Sequence, residues 1–326
     1  MKHLLKKAMG IFGITATLGM SGVAHANYPD KSVMITVSSV AGTTLDIFGR
    51  VLAEYASKKM NQPVVVENKP GASGMIGAQY VSRQNPDGYH LVLNLDTLYT
   101  VSPFVYKKMN ISPSEDLLPI SVVGSFHQVL LVNKSLNVSN YKEFIDKAKN
   151  EKLMYSSAGI STPGHLTMEM LKRDADIDVT HVPYRGNVPA TMALYTSEVD
   201  TGFLALGSAI QYVQEGSFIP LAISGAERDP RLPHIPTLRE AGGEALKDFD
   251  VQYGFVLAAP KDTDAKVVDF WNNMIQDALK DPTVNQFFTS ANIKPTAIPY
   301  KDSLAHLNKT ANQWEKVIKE LGISIN

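Results

Sequence analysis

The sequence predicts an α/β protein in which sheets are covered by helices on both faces. Short runs rich in β-branched residues alternate with amphipathic helical stretches along almost the whole chain. Turn residues such as Pro86-Asp87-Gly88 separate these runs. This alternation is typical of parallel sheets packed between two layers of helices.

The predicted elements form two series, each assigned by its hydrophobic period. The first series has strands at 33–37, 63–67 and 89–95 and helices at 46–60 and 75–84. The second has strands at 129–133, 153–157, 179–183, 201–205 and 220–224, with helices at 140–149, 163–173, 188–196 and 208–214. A strand at 251–258 and two helices at 265–279 and 301–321 close the chain.

Two long connections, 120–129 and 220–228, leave two domain arrangements open. They can carry the chain out of a first lobe and back into it, which would make a hinge of paired segments. Alternatively, the chain has two sequential domains and one linker near residue 110. The pattern alone does not choose between them.

Residues 1–26 have the features of a secretory signal peptide. Lysines at positions 2, 6 and 7 precede the uncharged stretch 8–20, and Ala24-His25-Ala26 fits a cleavage site. The uncharged stretch is too short to span a bilayer, so a permanent membrane helix is the weaker interpretation. We therefore expect an exported, soluble, periplasmic protein. The absence of cysteine fits that compartment and excludes disulfides and thiolate metal sites.

Composition narrows the class of partner. Residues 27–326 have a length typical of two domains. Three lysines and no acidic residues leave with the signal, which takes the formal charge from −1 to −4. Nucleic acid is therefore not an expected partner, because nucleic-acid-binding domains carry a strong basic excess. A small anion is still possible, because a local site can be positive on such a protein.

Two loops that follow predicted strands are suited to bind carboxylates. In the first, Gly42 lets the backbone approach a ligand, Thr43 or Thr44 can cap the next helix, and Asp46 lies in its first turn. The second runs from Ser156 to His165, where Thr162 precedes Pro163 as in a helix N-terminus. Helix N-termini bind anions through free N–H groups. An ordinary capped helix start is the alternative for the first loop, and packing is the alternative for His165.

A third loop, Gly71-Ala72-Ser73-Gly74, also lies between a strand and a helix. The chain has neither a P-loop lysine nor a GxGxxG fingerprint, neither HExxH nor GxSxG, and its histidines show no metal-ligand spacing. No cofactor and no metal are therefore expected. A hydrolase that uses Ser156 or Ser161 with His165 lacks an orienting acid, so the chain is not expected to be an enzyme.

At these loops the sequence resembles the periplasmic solute receptors of tripartite tricarboxylate transporters, the Bug family. The matching segments extend over the whole mature chain and occur in the same order as in the family. The matching segments are Tyr28-Pro29-Asp30-Lys31, 41–46, 66–74, 76–78, 86–89, 155–159, His165-Leu166, 181–186, Pro236-Thr237, 240–242 and Ala259-Pro260.

The resemblance implies a two-lobe, hinge-closing fold like that of type II periplasmic binding proteins. The ligand cleft would lie between the lobes, which two crossover segments join. The expected divisions are signal 1–26, lobe 1 at 27–124 with 225–326, and lobe 2 at 125–224.

The resemblance also implies a set of ligand-binding residues, with carboxylates held by main-chain N–H groups and water. In lobe 1 these residues are Gly42, Thr43, Thr44 and Asp46, with Ala72 and Ser73 bordering the cleft. In lobe 2 they are Ser157, Ala158, Gly159, Ser161, Thr162 and His165, with Tyr184 and Phe203 near the cleft. A structural role for Tyr184 is an alternative. Asp46 is expected either to contact the ligand through water or only to fix its own loop; an indirect role is favoured, because a carboxylate beside an anion is unfavourable.

Two departures from the family pattern bear on the ligand. Ser38-Ser39-Val40 replaces a run of prolines around an aromatic residue, and Leu204 stands where amino-acid-binding members place an acid. The second departure favours a carboxylate without an amino group.

The resemblance thus predicts a monomeric receptor that captures a small organic mono- or dicarboxylate. It would deliver this ligand to the integral membrane permease subunits of a tripartite transporter. A ligand-presenting sensor, or a receptor of another transporter class on the same fold, is the alternative.

Overall fold

The computed structural model describes residues 28–291 and 293–325. The predicted signal peptide, 1–26, lies outside the described residues. The strands, in chain order, are β1 (Val33–Val37), β2 (Val64–Asn68), β3 (His90–Leu95), β4 (Leu117–Phe126), β5 (Gln128–Asn133), β6 (Leu153–Ser157), β7 (Val179–Pro183), β8 (Thr201–Ala205), β9 (Phe218–Ile223), β10 (Tyr253–Pro260) and β11 (Lys294–Ile298).

Helices occupy most of the connections between these strands. In chain order they are α1 (Thr44–Met60), α2 (Met75–Ser82), α3 (Thr97–Thr100), α4 (Ser102–Val105), α5 (Pro113–Asp116), α6 (Tyr141–Asn150), α7 (Pro163–Ala175), α8 (Asn187–Tyr195), α9 (Leu206–Gln214), α10 (Leu238–Gly242), α11 (Ala265–Ala278), α12 (Pro282–Ala291) and α13 (Tyr300–Leu321). In the described part of the chain, no helix is long and apolar enough to cross a membrane.

The strands form two sheets, and each sheet with its helices makes one lobe. The sheet of lobe 1 has the order β11-β4-β10-β3-β1-β2, and that of lobe 2 has the order β7-β6-β8-β5-β9. In lobe 1, β1 pairs in parallel with β2 and β3, whereas β10 is antiparallel to β3 and β4. In lobe 2, β6 is parallel to β7 and β8, whereas β5 is antiparallel to β8 and β9. The α/β class is confirmed, but the sheets are mixed and not purely parallel as the alternation predicted.

The chain crosses between the sheets twice, and one serine ties the crossings together. It leaves lobe 1 after Phe126, enters lobe 2 at Gln128 and returns between Ile223 and Tyr253. Ser224 Oγ accepts the N–H of Gln128 at 2.9 Å and donates to the carbonyl of Val251 at 3.0 Å. Two adjacent crossings of this kind permit rotation of one lobe against the other. The residue numbers predicted for the lobe boundaries stay a prediction.

Several elements differ from the sequence-based assignment, among them the short helices α3, α4, α5 and α10, which were not predicted. Residues 117–126 form the almost entirely buried strand β4, where the sequence suggested a connection from 120. Pro119 and Gly124 interrupt its apolar run, and pairing with both β10 and β11 overrides that local signal. Helix α12 and strand β11 were missed, because β11 is short and its burial is low.

Aromatic packing holds α1 firmly against its sheet. Phe48 is 1% exposed, and its ring centroid lies 5.9 Å from that of Phe255 and 5.3 Å from that of Phe288. Aromatic pairs at such distances stabilise a core beyond the area they bury. The N-terminus of α1, which belongs to the first predicted loop, therefore projects from a rigid support.

Candidate functional site

The predicted loops lie at the carboxyl ends of parallel strands and face one another across the two lobes. Helices α1 and α2 follow β1 and β2 in lobe 1, and α7, α8 and α9 follow β6, β7 and β8 in lobe 2. Thr44 Oγ1 lies 3.4 Å from Ser208 Oγ at the start of α9. Ser73 Oγ donates to the carbonyl of Ile160 at 3.1 Å. Several helix N-termini with their positive dipole ends thus border one interlobe cleft.

Asp46 is the structural centre of the first loop. Its side chain is 3% exposed and accepts hydrogen bonds from the Gly42 N–H at 2.9 Å and from Asn68 Nδ2 at 2.8 Å. Arg50 binds both carboxylate oxygens, through Nε at 3.1 Å and Nη2 at 3.0 Å. Burial raises the pKa of this carboxyl, but the hydrogen bonds outweigh burial and hold it below its usual value. Asp46 is therefore an ionised brace for its own loop.

The hydrogen bonds of Asp46 determine which N–H groups the first loop can offer to a ligand. Gly42, at φ +82°, gives its N–H to Asp46 and so supports the loop. The Thr43 side chain caps α1 by accepting from the Asp46 N–H at 3.3 Å. Within residues 28–291 and 293–325, the N–H groups of Thr43 and Thr44 have no acceptor. These two main-chain donors are therefore available to an anion.

The third predicted loop, 71–74 in lobe 1, has an unfavourable backbone conformation. Ala72 and Ser73 have φ of 47° and 52°, in the left-handed region that costs a non-glycine residue roughly 1–2 kcal/mol. Ser73 Oγ also lies 2.8 Å from the hydroxyl of Tyr106. Strain of this kind concentrates at binding sites, where the surrounding structure maintains it. Here the turn positions Ser73 to contact the opposite lobe.

In the lobe-2 loop, side chains bind the loop's own backbone. Ser157 Oγ accepts the Gly159 N–H at 3.1 Å, and Thr162 Oγ1 donates to the Gly159 carbonyl at 2.6 Å. The Ser161 N–H points at His165 Nδ1, at 3.4 Å. These bonds preorganise the loop and use the hydroxyls of Ser157 and Thr162.

The same loop leaves main-chain donors unused at the start of α7. The N–H groups of Ala158, Gly164 and His165 have no acceptor in the described part of the chain. The Ser161 hydroxyl is buried and likewise without a partner there. Buried donors are normally satisfied, so this set points to a bound group that accepts hydrogen bonds.

Two histidines, His165 and His181, lie in tilted ring contact beneath the lobe-2 loop. The ring centroids of His165 and His181 are 4.4 Å apart, and Tyr155 stacks on His181 at 4.7 Å. His181 Nε2 lies 2.7 Å from Ser157 Oγ. Burial lowers the pKa of both imidazoles to about 4, and His181 adds to this effect at His165. Both rings are neutral at neutral pH, so the loop offers dipoles to a ligand and not a charged histidine.

Because both histidines are neutral in the folded protein, we expect the free energy of unfolding to fall in acid. The folded-state pKa of His165, about 4, lies below its ordinary value of 6.5, so the unfolded chain binds more protons between these two values. The unfolding free energy should be greatest above pH 6.5 and fall as the pH drops toward 4, by about 3 kcal/mol from His165 alone. Urea unfolding at several pH values measures it. His165→Gln should lose that part of the pH dependence. His234→Gln, at an exposed position, should keep it. Equal curves of unfolding free energy against pH for the two variants would contradict the role assigned to His165.

Phe203 and Tyr184 lie deeper than their predicted role suggests. Phe203 is 1% exposed and packs in the main hydrophobic core. The Tyr184 ring packs against the second apolar cluster, where burial and the nearby Glu198 raise the pKa of its hydroxyl to about 12. Their predicted contacts with a ligand stay predictions.

Sequence reasoning missed three supporting residues: Arg50, Asn68 and His181. The i,i+4 spacing of Asp46 and Arg50 on one helix could have indicated their pairing. Nothing local indicates the other two, because they come from different strands. Among the described residues, no group of three or more His, Cys, Asp or Glu side chains could hold a metal ion.

Known proteins share this architecture and sequence. The family described as the tripartite tricarboxylate transporter family receptor matches residues 48–323. A UPF0065 protein from the gbd 5′ region of Cupriavidus necator is 32% identical over 333 residues, covering 99% of this chain and 98% of its own.

Two solved structures from Rhodopseudomonas palustris are similar in fold. One, determined with adipate, has a TM-score of 0.87 and 28% identity, and the match covers 91% of this chain and 99% of that chain. The other, MatC with bound malate, has a TM-score of 0.79 and 25% identity, covering 89% of this chain and 100% of that chain.

Proposed function

The chain belongs to the tripartite tricarboxylate transporter receptor family, and we propose that it holds a small organic mono- or dicarboxylate between its lobes in the periplasm. It would act as a monomer, be exported by residues 1–26, and deliver the ligand to the membrane subunits of such a transporter. The family is one of receptors, which confirms the expectation that the chain is not an enzyme.

The observation that carries the proposal is the pair of opposed, unused main-chain donor sets. Thr43 and Thr44 present N–H groups at the start of α1, and Ala158, Gly164 and His165 present them around the start of α7. Helix N-termini stabilise anions without a basic side chain. A diacid could place one carboxylate on each set, and the two similar solved structures contain diacids, adipate and malate.

The contacts between the lobes also suit a receptor that closes on its ligand. The Ser73–Ile160 and Thr44–Ser208 contacts join the lobes at the cleft, the second of them long at 3.4 Å. Nearer the crossings, the Tyr253 hydroxyl also donates to the Pro163 carbonyl at 3.1 Å. Neutral hydrogen bonds of this kind contribute only about 1 kcal/mol each. A ligand that binds both lobes would therefore determine the balance between open and closed states.

The polar groups near the cleft favour a carboxylate without an amino group. Leu204 is 3% exposed and packs in an apolar cluster, so it offers no acceptor for an ammonium group. Asp46, the acid of the first loop, is occupied by Arg50, Asn68 and Gly42. A buried ammonium with no acceptor would be strongly disfavoured.

A thermal-shift screen on refolded, ligand-free protein tests the proposal. At a hundredfold excess over its dissociation constant, a true ligand should stabilise the fold by about 2.7 kcal/mol. We expect a shift with C4 to C6 mono- or dicarboxylates and none with the matched diamides, which lack the charge. A screen in which amides shift the melting temperature as much as acids, or in which no acid does, would refute carboxylate capture.

A further inference from the structure

The start of helix α7, which carries part of the lobe-2 donor set, is held from lobe 1 by one tyrosine. The Tyr253 hydroxyl donates to the carbonyl of Pro163 at 3.1 Å and lies 2.9 Å from Thr167 Oγ1. Thr167 Oγ1 also donates to the Pro163 carbonyl, at 2.8 Å. Tyr253 belongs to β10 in the sheet of lobe 1, whereas Pro163 and Thr167 belong to α7 of lobe 2. The three groups therefore form a hydrogen-bonded triangle that joins the lobes.

The acceptor of this triangle belongs to the same peptide group as one of the unused donors. A peptide group is planar and almost always trans, so its C=O and its N–H point in opposite directions. The carbonyl of Pro163 and the N–H of Gly164 make up one such group. In the part of the chain that the structure describes, that N–H has no acceptor. A bond that fixes the direction of the Pro163 carbonyl therefore also fixes the direction of the Gly164 N–H.

The same contacts make this N–H a stronger donor. A peptide group whose carbonyl accepts hydrogen bonds is polarised, and in a buried environment such bonds strengthen one another. Two hydroxyls approach the Pro163 carbonyl, and their residues are buried, Tyr253 at 1% and Thr167 at 0% exposure. Burial also raises the pKa of Tyr253 above its ordinary value. The hydroxyl therefore keeps the hydrogen that it donates at physiological pH.

Aromatic packing gives the Tyr253 hydroxyl a defined place. The Tyr253 ring centroid lies 6.0 Å from that of Trp314 and 6.0 Å from that of Phe126. Tyr253 also pairs with Phe126 in the β4–β10 ladder. Phe126 is the last residue of β4 before the chain crosses into lobe 2, and Tyr253 is the first residue of β10 after the chain returns. Tyr253 thus stands where both crossings meet lobe 1.

Lobe 2 holds the same turn of α7 through a close backbone contact. A Cβ added at Gly164 would lie 2.7 Å from the carbonyl oxygen of Phe203 in β8, a distance at which the backbone would have to shift. Glycine therefore lets the start of α7 approach its own sheet closely. Together with the Tyr253 hydroxyl, this contact means that both lobes position the first turn of α7.

We propose that Tyr253 is a positioning residue for the lobe-2 donor set: from lobe 1, it orients and polarises the Pro163–Gly164 peptide so that the Gly164 N–H meets a carboxylate. This inference rests on the proposed function, because it assigns a role in the same cleft. Tyr253 would not touch the ligand, since its hydroxyl bonds to the carbonyl of that peptide and the N–H points away from it. The orientation of a lobe-2 donor would thus be set by the opposite lobe.

Tyr253→Phe tests the role, because it keeps the buried ring and removes only the hydroxyl. Titration calorimetry on the full mature chain would use the tightest-binding of succinate, malate, glutarate and adipate. The variant should bind that acid about three- to tenfold more weakly. Tyr28→Phe is the matched control, because the Tyr28 hydroxyl also donates to a main-chain carbonyl, that of Gly88 at 2.7 Å, but within lobe 1. It should lower the melting temperature and leave the affinity unchanged, as expected of a purely structural hydroxyl.

Two further variants and one ligand-free measurement keep the test decisive. Thr167→Val removes the other hydroxyl of the triangle and should also weaken binding. Thr167→Ser keeps that hydroxyl and should bind the acid as the unmodified chain does. In the absence of any acid, hydrogen–deuterium exchange of the main-chain N–H groups of 164–170 should be faster in Tyr253→Phe than in the unmodified chain. In Tyr28→Phe this exchange should not change.

The outcomes separate this inference from the proposed function. If none of the four acids binds the unmodified chain, capture of these dicarboxylates fails, and the exchange of 164–170 alone decides whether Tyr253 positions α7. The inference is overturned if Tyr253→Phe binds the acid as tightly as the unmodified chain, or if Tyr28→Phe loses as much affinity. It is also overturned if the exchange of 164–170 is the same in Tyr253→Phe and the unmodified chain.

Discussion

Replacing Asp46 with alanine is expected to lower the unfolding free energy by about 2–3 kcal/mol and to remove carboxylate binding. The change leaves the Gly42 N–H, Asn68 Nδ2 and the Arg50 guanidinium without their shared acceptor. The loss should be below the maximum for a buried ion pair, because the Arg50 side chain is 52% exposed and water screens it. Urea unfolding measures the stability, and the acid found in the screen measures the binding.

Glu54→Ala is the matched control on the same helix. Glu54 also pairs with a basic residue four positions on, Lys58, but both side chains are well exposed, at 65% and 73%. Exposed pairs of this kind contribute little, so the control should leave the urea midpoint almost unchanged and binding intact. If the two variants unfold at the same urea concentration, Asp46 is not the brace described above.

Thr44→Pro is expected to weaken carboxylate binding about 10- to 100-fold with little change in stability. Thr44 is the first residue of α1, where proline fits the helix but removes the N–H group. Thr43 before it has ψ of 160°, an extended conformation that a following proline accepts. The substitution therefore deletes one main-chain donor, and a hydrogen bond to a charged group contributes about 1.5–3 kcal/mol.

Two controls separate the donor from other effects. Ala265→Pro makes the same change at the first residue of α11, away from the cleft, and should leave affinity unchanged. Thr44→Val keeps the N–H but removes the hydroxyl that lies 3.4 Å from Ser208, so it should lose much less affinity than Thr44→Pro. If Thr44→Pro and the unmodified chain bind the acid equally well, the Thr44 N–H does not contact the ligand.

Much of the fold could be predicted from local pattern, because each element that borders the cleft carries its own signal. Strands β6, β7 and β8 have the predicted bounds, and α7 begins at Pro163 as the Thr-Pro pair indicates. The pairing of the antiparallel strands could not be predicted in the same way. Strand β4 is assigned by its neighbours β10 and β11, which lie more than 100 residues away in sequence.

The sequence predicted which loops form the candidate site, but not which of their N–H groups are free to bind a ligand. The expectation that Asp46 fixes its own loop agrees with its bonds to Gly42 and Arg50. The sequence could not indicate that Gly42 gives up its N–H in that arrangement.

A crystal structure of the mature chain with the acid identified in the screen would show whether one ligand joins the two donor sets. We expect one carboxylate within hydrogen-bonding distance of the Thr44 N–H and, for a diacid, the second on the N–H groups around the start of α7. An acid that contacts only one lobe would refute capture between the lobes.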